Sequence, residues 1–152
     1  MPKDSAMLVA LATVLIVTSA RSTESPTEIA AIRSAAARAL VSGCVAAIVD
    51  PAVKAYMQRA AEAGKPFGLE QVARLEMTST PEWRTIMAPA IQKGCECAMA
   101  EELEAISRAQ SSSEIERINS LLIELTRDRS LSESRMKAFE TCFEPLLEAT
   151  KK

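Results

Sequence analysis

The side chains with the most reactive chemistry in this chain are its four cysteines, Cys44, Cys95, Cys97 and Cys142. Two of them stand two positions apart in QKGCECAMAEEL, residues 92–103, where Gly94 followed by a new apolar period reads as the start of a helix. Thiolates bind soft metals, exchange disulfides or close permanent cross-links. The chain has no histidine and no third cysteine nearby, and Glu96 adds a single oxygen, so no thiolate–histidine set closes around zinc or copper(I). A redox pair is expected as Cys-x-x-Cys beside a βαβ unit, and neither is present. Structural disulfides remain.

Four cysteines allow three connectivities. A Cys95–Cys97 bond closes a tight, strained ring and is set aside. Residues two apart on a helix point about 200° away from each other, so Cys95 and Cys97 reach different neighbours: one the first long helix through Cys44, the other the last helix through Cys142. Cys44–Cys95 with Cys97–Cys142 and Cys44–Cys97 with Cys95–Cys142 both satisfy this. The second is favoured here, with no geometric ground that separates it from the first. Each bond closes a loop worth about 4 kcal/mol in the chain-entropy account, a large part of the ~5–15 kcal/mol that holds a domain together.

Disulfides imply an oxidising compartment, and the first residues carry an address that agrees. Residues 7–17, MLVALATVLIV, are apolar apart from Thr13 and too short to span a bilayer, which takes about 20 residues. Lys3 precedes the run, and Thr18-Ser19-Ala20 offers small residues before a cut at Arg21. That is the layout of a secretory signal peptide; a retained N-terminal anchor is the competing reading. The chain thus divides into a leader, residues 1–20, and one helical domain, residues 21–152.

The elements that must position the cysteines are helices. Alanine, the best helix former, occurs 26 times, while glycine occurs 4 times and aromatic residues make up 3%. Ser25-Pro26-Thr27-Glu28 is a capping box with proline at the first turn. Ile29, Ile32, Ala36, Leu40, Cys44, Ala47 and Ile48 then mark one buried stripe. Asp50-Pro51 is expected to end that helix and Pro51 to open a second, which stops at Gly64. A short helix with Leu69, Val72 and Leu75 apolar follows the Lys65-Pro66-Phe67-Gly68 connector. Thr80-Pro81 starts the next, with Trp83, Ile86, Met87, Ala90 and Ile91 inward and a kink at Pro89. Gly94 ends it or bends it. Cys95, Met99, Leu103 and Ile106 form another stripe. Ser113 and Glu116 cap a helix with Ile115, Ile118, Leu122 and Leu125, and a last helix begins near Leu131 and is bent or ended by Pro145. The expected fold is an all-α, single compact bundle of six or seven helices braced by two disulfides.

Function is approached by exclusion. Without histidine there is no Ser-His-Asp or Cys-His arrangement. A net charge of −2 lacks the basic surface that nucleic-acid binding needs. Glu101, Glu102 and Glu104 read as a solvated face that favours a helix N-terminus. No cofactor and no metal site are implied. Two aromatic residues are candidates for partner contact: Phe67, because it sits in a loop, where binding residues concentrate, and Trp83, the only tryptophan.

Cys95-Glu96-Cys97, with a helix after it and a lone later cysteine at 142, resembles a pattern in small secreted α-helical proteins of bacteria. The resemblance covers roughly residues 90–145 and implies a helical exported domain without carrying any active-site residue. By size and export, periplasmic immunity proteins, which neutralise toxins of rival or sister bacteria, are an analogue. The reading is a periplasmic or secreted, non-enzymatic domain that binds another protein, with no nucleic acid and, once the leader is removed, no membrane. Its alternative is a carrier of a small apolar ligand held between the helices.

Overall fold

A computed structural model describes residues 23–128 and 130–150. The leader and the cleavage expected before Arg21 lie outside the described residues. Among those described, the chain forms seven α-helices and one π-helical segment: α1 Pro26–Glu62, α2 Glu70–Thr78, the π segment Trp83–Met87, α3 Ala88–Ala98, α4 Ala100–Arg108, α5 Ser112–Ile118, α6 Ser120–Asp128 and α7 Glu133–Ala149. The all-α bundle with two disulfides is the fold observed.

The start of α1 follows the local code. Glu28 N–H donates to Ser25 Oγ at 3.2 Å, and Ser25 N–H donates to the Glu28 carboxylate at 2.7 Å. Its end does too. Gly64 adopts φ 77°, Lys65 N–H reaches the Ala60 carbonyl at 2.8 Å and Gly64 N–H that of Ala61 at 3.0 Å, the paired bonds of a glycine-terminated helix.

Pro51 does not break α1 as expected; the helix runs through it for 37 residues, about 55 Å. Packing overrides the local preference. Val49 and Val53 flank the proline one turn apart and both are buried, so the stripe of Leu40 and Cys44 continues in register beyond it. The proline itself faces solvent, and Asp50 is pinned from α2 by Arg74 at 2.6 Å. By length and composition alone α1 would also qualify as a membrane-spanning helix. In this fold Leu40, Cys44 and Val53 are fully buried, and α2 to α6 all pack against it.

Four further expectations are corrected. The kink at Pro89 takes the form of the π segment just before it: Ala88 N–H bonds to the carbonyl of Trp83, five residues back. A wider turn relieves the conflict between a proline ring and the carbonyl four residues behind it. Gly94 neither ends nor bends a helix but lies buried inside α3, so Cys95 and Cys97 sit near the end of a helix rather than at a start. The break comes at Met99, after which α4 begins. The cap of α5 is Ser111, which accepts from Glu114 N–H at 3.3 Å, in place of Ser113 with Glu116, and Asn119 splits the expected single helix into α5 and α6. Finally, α7, which starts after Ser132 close to where it was expected, does not end at Pro145 but continues to Ala149, with the proline exposed.

The core gathers Leu40, Cys44 and Val53 of α1, Ile91 and Cys95 of α3, Met99, Ile106 of α4, Ile115 of α5, Leu125 of α6 and Phe139 of α7. No charged or polar side chain is buried among the described residues.

Candidate functional site

The bonds formed are Cys44–Cys95 and Cys97–Cys142, with Cα separations of 5.7 and 6.4 Å. The connectivity favoured from sequence, Cys44–Cys97 with Cys95–Cys142, is therefore replaced by its alternative. Gly94 sets how closely α7 approaches α3. Without a side chain there, the ring of Phe139 lies directly on α3, and a Cβ at Gly94 would stand 2.5 Å from Phe139 Cε2 and 2.6 Å from Cδ2. Gly94 and Cys97 are three apart and share a face, as do Phe139 and Cys142. With α7 lying this close along α3, Cys142 comes within bonding reach of Cys97. Cys95 points to the other side of α3, into the core, where Cys44 waits. The Cys-x-Cys helix is the hub of the fold, as its spacing implied, tied to α1 on one side and α7 on the other. Two closed disulfides and no free cysteine among the described residues are compatible with export.

A second lock joins α7 to α4. The Arg135 guanidinium donates to both carboxylate oxygens of Glu102, one at 2.9 Å, and to the carbonyl of Ala98 at 2.9 Å, where α3 runs out of helical partners. Arg135 holds the Glu102 carboxyl below its usual titration range, against the opposing effect of partial burial. Of the three acidic residues expected to be a solvated face, Glu102 thus has a structural task, while Glu104 pairs with Arg108 on the surface.

Two surfaces are open to partners. The first is α2. Its buried side is small: Ala73 is fully enclosed, with Met77 packed beside it. Leu69, Val72 and Leu75, the apolar residues expected on this helix, turn outward at 62%, 51% and 69% exposure. Their three-residue spacing puts them on one side of the helix. The helix is fixed to the body by Arg74, which bonds Asp50 at 2.6 Å and is braced within α2 by Glu70 at 3.2 Å, and by Glu76, which accepts from Tyr56 Oη at 3.0 Å and Lys65 Nζ at 3.1 Å. Lys65 and Tyr56 together lower the Glu76 titration, and burial followed by the bond to Glu76 raises that of Tyr56. The apolar face is presented on a clamped support.

The second surface is a groove of about 540 Å³ between α1, α3 and α4, with Ala37, Val41, Val45 and Leu103 among its apolar walls and Arg38 and Glu96 at its rim. It shares Ser42, Val45 and Gln92 with a neighbouring groove of about 400 Å³ that reaches Trp83. Both are open clefts rather than closed cavities.

The sequence-predicted contact residues fall as follows. Phe67 is half-buried; its ring lies 5.4 Å from that of Tyr56, with Lys65 Nζ 5.9 Å from its centre. It braces the connector against α1 and adjoins the exposed α2 face. Trp83 is half-buried and packs on the core while lining the end of the second groove. The sequence marks Leu69, Val72 and Leu75 as apolar without fixing which way they face, because period-three apolar spacing fits a core stripe equally well. The signal that points the other way is Ala73, small enough for α2 to lie close to α1, with Met77 one turn further on. No family model, no curated protein and no solved structure matches the chain.

Proposed function

We propose that this is an exported, non-enzymatic domain that binds another protein through the outward face of α2. The observation that carries the reading is the exposure of Leu69, Val72 and Leu75 together on a helix held rigid by the Arg74 and Glu76 contacts. Contiguous exposed apolar side chains mark interaction sites more often than isolated ones do, and a pre-organised support lowers the entropy lost on binding. Phe67 at the edge of this face extends it. A periplasmic inhibitor or immunity protein, which must outlast the agent it neutralises, is the most concrete version, and two cross-links suit that task.

The test is site-specific photo-crosslinking in the native host from position 72, with exposed Lys54 of α1 as the control position. A discrete polypeptide captured from position 72 and absent from position 54 is expected. Capture of nothing at 72, or of the same set at both positions, refutes the reading.

The groove that runs from Leu103 to Trp83 favours a second reading, a carrier of a small apolar ligand. Its volume lies within the range of roughly 300–1,000 Å³ usual for ligand sites. Native mass spectrometry of protein purified from its host discriminates: a retained small molecule supports the carrier, a retained polypeptide the binder. Trp83 fluorescence gives an independent signal, since a ligand in the second groove would lie beside the only tryptophan.

A further inference from the structure

We propose that Cys97–Cys142 is a thiol-exchange site, a bond that a dithiol opens in the folded protein and the disulfide form of the same reagent recloses by the reverse exchange, while Cys44–Cys95 stays shut. This is independent of the α2 interface. The two bonds differ in what surrounds them. Cys44 and Cys95 are both fully buried, at the junction of α1 and α3. Cys97 and Cys142 are both partly exposed. A cleft of about 280 Å³ opens directly on Cys97, walled by Ala98, Ala100 and Glu101 on one side and Ser134, Arg135 and Ala138 on the other. Exchange requires a thiolate to reach a disulfide sulfur. The cleft provides that approach to Cys97 and nothing comparable reaches Cys95 among the described residues.

The chemistry balances with a dithiol as reductant. Its thiolate attacks Cys97 Sγ from the cleft, a mixed disulfide forms, and Cys142 leaves as a thiolate. The second thiol of the reagent, once deprotonated, attacks its own sulfur in the mixed bond. Cys97 leaves as a thiolate and the reagent closes to its disulfide. Two electrons pass to the cysteine pair, which takes up two protons to become thiols.

The fold can survive the event because α7 has other anchors. Arg135 grips Glu102 and the Ala98 carbonyl at its start. Phe139 stays seated on Gly94 at 4% exposure, with Phe143 stacked on it at 5.0 Å. Opening Cys97–Cys142 therefore releases only the stretch of α7 after these contacts. Opening Cys44–Cys95 requires parting α1 from α3, which is the core itself.

The experiment exposes the folded, fully oxidised protein to graded dithiothreitol in native buffer, quenches by alkylation and maps the labelled cysteines, with far-ultraviolet circular dichroism recorded in parallel. Cys97 and Cys142 should be labelled at least about tenfold faster than Cys44 and Cys95, the separation expected between local and global opening, with the helical signal kept. Labelling of all four cysteines together, labelling of Cys97 and Cys142 only alongside loss of helix, or faster labelling of Cys44 and Cys95 overturns the proposal.

Discussion

Replacing Gly94 by alanine sets two effects of opposite sign against each other at one atom. Alanine in a helix interior is favoured over glycine by roughly 0.5–1 kcal/mol, because glycine loses more backbone freedom on folding. On that ground alone the variant should be more stable. The added Cβ, however, would stand 2.5, 2.6 and 3.1 Å from three carbons of the Phe139 ring. The ring has little room to yield: it is 4% exposed, stacked on Phe143, and three residues from the cross-link at Cys142. Forcing a methyl into such a contact costs about 1–3 kcal/mol, so the clash wins and Gly94→Ala should lower Tm by several degrees, on the order of 3–8 °C for a domain of this size. Thermal unfolding by circular dichroism measures it. The cause is isolated by repeating the substitution in a Phe139→Leu background, where the ring is gone and the helix preference should reappear as neutral or stabilising. A Tm that rises in the single variant, or an equal penalty in both backgrounds, would falsify the close approach of α3 and α7 described above.

Glu102→Gln should destabilise by about 1.5–3 kcal/mol near neutral pH, the range for a hydrogen bond to a charged group, in chemical denaturation. It should also flatten the acid limb: the Glu102 carboxyl is held below its ordinary value, so its contribution is present above about pH 4.3 and lost as pH falls through the lowered folded-state value. A wild-type and variant gap that persists unchanged under acid contradicts this. Removal of Cys44–Cys95 as a double serine variant should cost more than removal of Cys97–Cys142. Loop sizes of 51 and 45 residues are nearly equal in entropy, and the difference is the polar hydroxyls left in the core; equal losses in denaturant midpoint would show that burial does not distinguish them. Phe67→Ala should destabilise by about 0.5–1.5 kcal/mol through the lost tilted ring contact with Tyr56 alone, seen as a lower Tm, so partner capture by this variant is compared at a temperature where it remains folded.

Helix content, the cap at Ser25 and the glycine stop at Gly64 were legible because each depends on residues within one or two turns. So was the hub: two cysteines two apart on a helix must face different neighbours, and that much connects α3 to both α1 and α7. Pro51 misled for the opposite reason. A proline's local cost of about 3 kcal/mol can be outweighed by apolar burial on both sides of it, as at Val49 and Val53, and burial is a property of the assembled bundle. Gly94 is the sharpest case. In one dimension it reads as a terminator; in three it admits Phe139 and lets α7 lie close along α3, where Cys142 meets Cys97. The outward face of α2 belongs to the same class. Leu69, Val72 and Leu75 have the spacing of a core stripe, and only the docking of Ala73 and Met77 toward α1 determines that they meet solvent instead. Sequence sets which faces a helix has; the partners available to each face are settled when the helices pack.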